Sequence, residues 1–228
     1  MRELNLRAVP SSSPEAAPVS RIRGPKLSPF IAKSKGVPFE EGLAKAEAAG
    51  KTIASFARFG RIADHSDEAH ELFEVFQSWT GTIFAYIEPR KALGPVIEST
   101  DARNRWVVHV PEHYREAKDA VLFVDHPEYT IERDGRNRVV HASSFNLVSD
   151  FASITGWLPT DPKHGIPVGD RNASYSHPGA RFLWREKTMV GPASVGLGLW
   201  RYLYLADSPS SKFGMAVEAP PPELRLVK

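Results

Sequence analysis

Few side chains in this sequence are spaced to do chemistry. The most suggestive run is His109-Val110-Pro111-Glu112-His113, two imidazoles four residues apart with a carboxylate between them. On a helix such a pair shares one face and holds zinc, with a glutamate as base. Pro111 lies inside a strand-like run, which spoils that geometry. Asp125-His126-Pro127 and Asp161-Pro162-Lys163-His164 add two more acid–histidine pairs. In loops these residue types usually form turns or stand at the surface. A small metal-dependent hydrolase using the His/Asp cluster of His109, His113, Asp125 and His126 is therefore the alternative reading, with no catalytic residue or metal ligand assigned in the main one.

Other catalytic patterns are missing. Gly191, Gly196 and Gly198 match neither the phosphate loop nor the dinucleotide fingerprint, and mark turns or bulges instead. No G-x-S-x-G elbow occurs. Cysteine is absent, which excludes disulfides, zinc–thiolate sites, Fe–S clusters and cysteine nucleophiles. Asn172-Ala173-Ser174 has the form of a glycosylation acceptor, but with no apolar leader segment it reads as chance.

The elements that would position any site read as follows. Residues 1–38 carry seven basic and two acidic residues, net +5, with six prolines and the run Ser11-Ser12-Ser13-Pro14. They are expected to form a basic, mostly disordered arm. The other 190 residues hold 22 basic and 25 acidic residues, net −3, which argues against a nucleic-acid groove in the body. Any nucleic-acid contact would fall to the arm. With 42% hydrophobic residues the body can bury a real core, and no run is long and apolar enough to span a membrane. With no signal peptide either, a cytoplasmic or virion-associated location is expected.

Two early helices are predicted. The first covers 39–50, with Leu43, Ala46 and Ala49 near one face and Gly50 as its stop. Ile53 to Phe59 follows as a short apolar segment. The second helix runs from about Glu68 to Ser78, burying Leu72, Val75 and Phe76. Then Trp79-Thr80-Gly81-Thr82 leads into a strand at 83–87. Strands are predicted at 106–110, 120–124, 129–133 and 138–142, the last two around the hairpin signal Asp134-Gly135. Residues 143–180 lack obvious regular structure, with Trp157 as an apolar anchor. A strand begins at Phe182. Val195 to Ala206 is the most β-like run, with Leu199, Arg201, Leu203 and Leu205 on one face and Trp200, Tyr202, Tyr204 and Ala206 on the other. Ser208-Pro209-Ser210-Ser211 turns the chain, and 213–218 returns as a strand. The fold class is α+β with antiparallel strands and long loops.

This layout resembles a C-type lectin fold. The residues that carry the resemblance are Phe39–Ala46, Trp79–Thr82, Ala180–Arg185, Val190–Pro192 and Phe213–Val217. The end of the chain is similar to the variable proteins of diversity-generating retroelements, including those of archaea and their viruses. The resemblance implies a lectin-like domain over 39–218, a variable region of about 181–218 and a short tail at 219–228. No E-P-N or Q-P-D motif occurs in the final loops, so calcium-dependent sugar binding is not implied. The formylglycine-generating branch of the fold needs cysteines and is excluded.

The resemblance also implies which positions vary. Randomising the adenines of an AAC codon cannot yield Trp, Met, Lys, Glu or Gln. Trp184, Trp200, Lys212, Met215 and Glu218 therefore belong to the fixed framework, with Arg201 beside them. Tyr202, Tyr204, Ala206, Asp207, Ser208 and Ser211 form the expected variable, ligand-contacting set, with Leu197 and Leu199 as additions. Tyrosine supplies broad amphipathic contact at low entropic cost, and Ser and Asp supply adaptable hydrogen bonds. The expected function is ligand binding by a hypervariable surface, without catalysis or cofactor, and the unknown ligand is expected to be a protein.

Overall fold

The run Phe76–Tyr86 places apolar residues at both odd and even positions, as a strand covered on two faces requires. In the computed structural model it is the longest strand, and the rest of the fold is arranged around it. The structure describes residues 27–63, 76–86, 92–99, 105–118, 120–151, 156–161, 163–169, 181–184, 189–197, 202–204 and 212–218.

In chain order the elements are β1 (Leu27–Ile31), α1 (Phe39–Ala48), α2 (Phe56–Ala63), β2 (Phe76–Tyr86), β3 (Val96–Glu98), β4 (Arg105–His109), β5 (Ala120–Asp125), β6 (Tyr129–Asp134), β7 (Asn137–Ala142), β8 (Asn146–Ser149), β9 (Gly156–Leu158), β10 (Arg181–Trp184), β11 (Met189–Leu197), β12 (Tyr202–Tyr204) and β13 (Gly214–Glu218). Single 3₁₀ turns cover Lys33–Lys35 and Glu112–Tyr114. The α+β class holds, with strands dominant and both sheets open.

A nine-stranded sheet runs β1-β13-β2-β11-β12-β10-β9, with β5 also on β2 and β8 on β5. A four-stranded sheet runs β3-β4-β7-β6. Alternate residues of the large sheet enter two separate cores. Phe84, Tyr86, Val121, Phe123, Val195 and Ala216 face one, closed by Phe56 and Phe59 of α2 and by Phe151, Leu158 and Ile166. Ile83, Ala85, Leu122, Val124 and Met215 face the other, which includes Phe39 and Leu43 of α1 and Trp106, Val108 and Val140 of the small sheet.

Local chemistry explains both helices. Glu40 and Glu41 lie in the first turn of α1, favourable to the helix dipole. At its end Gly50 takes φ +61°, the amide of Gly50 reaches the Glu47 carbonyl and that of Lys51 reaches Ala46, the closing pattern that glycine permits. Helix α2 is capped by Ser55, whose Oγ accepts the Arg58 amide at 3.2 Å. The Glu40 carboxylate, largely covered, receives the guanidinium groups of Arg133 and Arg138 from β6 and β7. Glu40→Ala is expected to cost about 1.5–3 kcal/mol in urea unfolding, since the charge-assisted bonds from two guanidinium groups are lost and Arg138 is half-buried. Glu41→Ala, which loses an exposed pair with Lys45, should cost only about 0.2–0.5 kcal/mol.

Several sequence expectations are corrected. The arm does not extend to residue 38: β1 lies inside it and pairs with β13, tolerating Pro29 because it is an edge strand with a register shift there. Residues 1–26 and 219–228 lie outside the described residues. The second helix is Phe56–Ala63, beginning inside the expected apolar segment Ile53 to Phe59 and running past it, whereas Phe76–Ser78 is strand; residues 68–75 of the expected helix lie outside the described residues. Trp79–Thr82 is strand interior rather than a lead-in. The stretch 143–180 contains β8 and β9. Val195–Ala206 is not one strand: β11 and β12 pair antiparallel, so the chain reverses between Leu197 and Tyr202. β13 does not return beside β12 but lies between β1 and β2, because Met215, Ala216 and Val217 are apolar on both faces and need a covered position. The sheets are mixed rather than antiparallel, with parallel pairs β2·β13, β10·β12 and β4·β7.

Candidate functional site

Strands β9, β10 and β12 form the end of the large sheet beyond β11. Their register sorts residues by face, because residues directly opposite one another in neighbouring strands lie on the same side. One row runs Gly156, Leu183, Leu203, Val195. Val195 is buried in the core under α2, together with Leu158 of β9, so this row belongs to the core face. The adjoining rows run Trp157, Phe182, Tyr202, Gly196 and Trp184, Tyr204, Ser194 on the opposite face, which at β11 is covered: Ser194 is buried and pairs with Trp79 of the second core. Trp157 and Phe182 are half-buried and meet edge to face at 5.7 Å.

The backbone therefore brings Tyr202 and Tyr204 to one face with Trp184 and opposes them to Leu203, as the alternation in the sequence implies. It separates them from Leu197, which is two residues beyond Val195 and on the core row's face. Leu199, Trp200, Arg201, Ala206, Asp207, Ser208 and Ser211 lie outside the described residues, as does Asn172-Ala173-Ser174. Sequence reasoning missed Trp157 and Phe182 as neighbours of the tyrosines. The aromatic character of both was visible, but the parallel pairing of β10 with β12 has no local signal. Among the described residues, the members of the two rows are aromatic, glycine or serine.

The acid–histidine pairs serve other ends. His109 closes β4 and is exposed, and His113 is exposed with its ring 4.0 Å from that of Tyr114. The Asp125 carboxylate accepts the Thr82 hydroxyl. His126 is buried and its Nδ1 accepts the Ile53 amide at 3.2 Å. Burial holds the His126 imidazole below its ordinary pKa, with the Glu47 charge opposing. Burial, reinforced by Asp125 and Glu47, raises the Tyr129 phenol well above its usual range. Asp161 forms a turn, its Oδ1 accepting the amides of Lys163 at 3.1 Å and His164 at 2.7 Å. The His164 ring meets Phe123 at 4.9 Å, and burial lowers its pKa. Among the described residues no three His, Asp or Glu side chains gather to hold a metal ion. None of the described helices is long and apolar enough to cross a membrane.

No protein-family model, no curated protein and no solved structure matches the chain.

Proposed function

We propose that this chain is a ligand-binding protein on a C-type-lectin-like scaffold, whose C-terminal region presents a replaceable surface of the kind that retroelements diversify. The observation that carries the reading is the register of β12. It sets Tyr202 and Tyr204 on the face opposite Val195, which enters the core under α2, at strands beyond β11 where that face leaves the second core around Trp79. Two further features support it: early helices, and the pairing of the first and last of the described strands, β1 and β13. Tyr202 and Tyr204 supply contact area, Ala206, Asp207, Ser208 and Ser211 complete the set, and the ligand is a protein surface. The reading needs no cofactor and no catalytic group.

On this reading Tyr202 and Tyr204 are dispensable for folding. The double substitution Tyr202→Ser and Tyr204→Ser is expected to change unfolding free energy by no more than about 0.5 kcal/mol per site. Leu203→Ala should cost about 2–4 kcal/mol. Urea melts of both proteins check this, and a double variant as damaged as Leu203→Ala would sink the reading. In sibling genes, differences should crowd into codons 195–212 that bear adenines; substitutions spread evenly over the chain would sink it as well.

A further inference from the structure

The edge of β2 is shared by two strands. β13 pairs with it in parallel at Ser78 and Trp79, and β5 pairs with it antiparallel from Thr82 to Tyr86. Between them, at Thr80 and Gly81, the two partners diverge and leave a fork. The segment that links α1 to α2 fills this fork. Its amide at Ala54 donates to the Ala216 carbonyl at 3.0 Å, its carbonyl at Thr52 accepts the Glu218 amide at 2.9 Å, and Ile53 bridges to Val217. Those bonds tie it to β13. On the other side the Gly81 amide donates to the Ala54 carbonyl at 2.8 Å, and the Phe56 amide donates to Thr82 Oγ1 at 2.8 Å. The segment is a strap stitched across the point where the large sheet splits.

One edge of that strap is held by an imidazole. The Ile53 amide donates to Nδ1 of His126, and the His126 amide donates in turn to the Gly81 carbonyl at 2.8 Å. A ring nitrogen that accepts from an amide must be unprotonated, so this contact exists only with the neutral ring whose proton sits on Nε2. Adding a proton to Nδ1 sets two donors against each other and strands a buried backbone amide, a costly state.

The groups around the ring come from several elements. Glu47 of α1 favours the charged ring; the Tyr129 ring of β6 meets it edge to face at 6.0 Å; Asp125 of β5 is its chain neighbour and is engaged by Thr82. At the ends of the strap, the Lys51 ammonium is over the Phe30 ring and Glu218 closes β13. From β2 the neighbour of His126 is Gly81, whose carbonyl accepts the His126 amide and which brings no charge.

We propose that His126 is a proton-operated latch on the strap: acidification releases the α1–α2 linker from the sheet fork, drawing Ile53 and Ala54 out of the two cores, while the pairing of β2 with β5 stays closed. The direction follows from linkage. The closed form holds the imidazole below its ordinary value because burial outweighs Glu47. The opened form, with the ring in water, titrates near the ordinary 6.5. Opening therefore takes up a proton. The closed latch is fully favoured above that ordinary value and is progressively lost as pH falls toward the lowered one. Protonating a group near its solution value shifts the opening equilibrium by up to about tenfold between about pH 7.5 and about pH 5.5.

Hydrogen exchange on the full chain tests this, with rates corrected for the intrinsic effect of pH. Protection of the amides of Ile53, Ala54, Phe56 and Glu218 is compared with that of Leu122 and Phe123 in the core. The expected result is a loss of up to about tenfold in strap protection over that range, with the core amides unchanged. His126→Asn keeps an acceptor oxygen where Nδ1 lies and does not titrate, so its strap protection should be flat with pH. If that variant folds poorly, the ring's own titration in the unsubstituted protein serves: its NMR-detected pKa must lie below 6.5. Strap and core amides losing protection together, an equal pH response in His126→Asn, or a ring titrating at or above the ordinary value would each overturn the latch.

Discussion

Trp79→Ala is expected to be the most damaging single substitution in the described fold, removing about 3–5 kcal/mol of stability. The side chain is completely buried. Its ring meets Phe39 of α1 at 5.7 Å and Phe213 at 4.7 Å, and Nε1 donates to the Val37 carbonyl at 3.0 Å. Its backbone is bracketed by Ser194 of β11 and Met215 of β13. One residue thus ties the segment after β1, the first helix and the last strand to the central strand. Deleting the indole leaves a cavity among Phe39, Phe213 and the Val37 carbonyl, over a strand whose backbone is held on both sides and cannot shift to fill it. For a chain of this size the melting temperature should fall by roughly 6 to 20 °C. Trp79→Phe should lose less, about 1–2 kcal/mol, because the ring contacts persist while the N–H is lost, and the Val37 carbonyl keeps its bond from the Phe213 amide. Urea unfolding separates these outcomes; a loss below about 1 kcal/mol for Trp79→Ala would contradict this packing.

Gly81→Ala should destabilise by about 3 kcal/mol, against the usual sign. In an ordinary strand interior, alanine gains about 0.5–1 kcal/mol over glycine by restricting the unfolded chain. Here a Cβ on residue 81 would stand 2.7 Å from the Ile53 carbonyl oxygen and 3.1 Å from the His126 Cβ. The first is backbone, and that backbone is the strap. It cannot move without breaking the bonds of Ala54 to Gly81 and to Ala216. Gly94→Ala is the matched control: its added Cβ meets the Val96 oxygen at 3.6 Å, an ordinary contact, so its effect should stay within about 0.5 kcal/mol. A neutral or stabilising Gly81→Ala would show that the fork is looser than its geometry.

Helix α2 was legible in principle. Ser55 followed by apolar residues at 56 and 59 is a cap and a helical stripe. The longer apolar spacing of Leu72, Val75 and Phe76 outweighed it, although Phe76 opens β2. Short apolar runs fit both periods, and nothing local separates a strand buried on two faces from a buried helix. The candidate surface was legible as far as one strand reaches: the alternation of Tyr202, Leu203 and Tyr204 is local. Its partners were not, since Trp157 and Phe182 arrive through pairings between distant segments.

By itself the sequence determined the strand-rich α+β class, the α1 stop at Gly50, and the β6–β7 hairpin whose turn has Gly135 at φ +58°. These depend on forces between residues a few positions apart: dihedral preference, capping and the pleat. Tertiary structure alone decided that β1 joins the fold, that β13 lies between β1 and β2, that β10 runs parallel to β12, and that His126 is spent on a backbone amide rather than on a ligand. Such choices turn on which sheet edges are open and which buried donors need acceptors once the chain has collapsed, and those conditions belong to the assembled molecule rather than to any stretch of it.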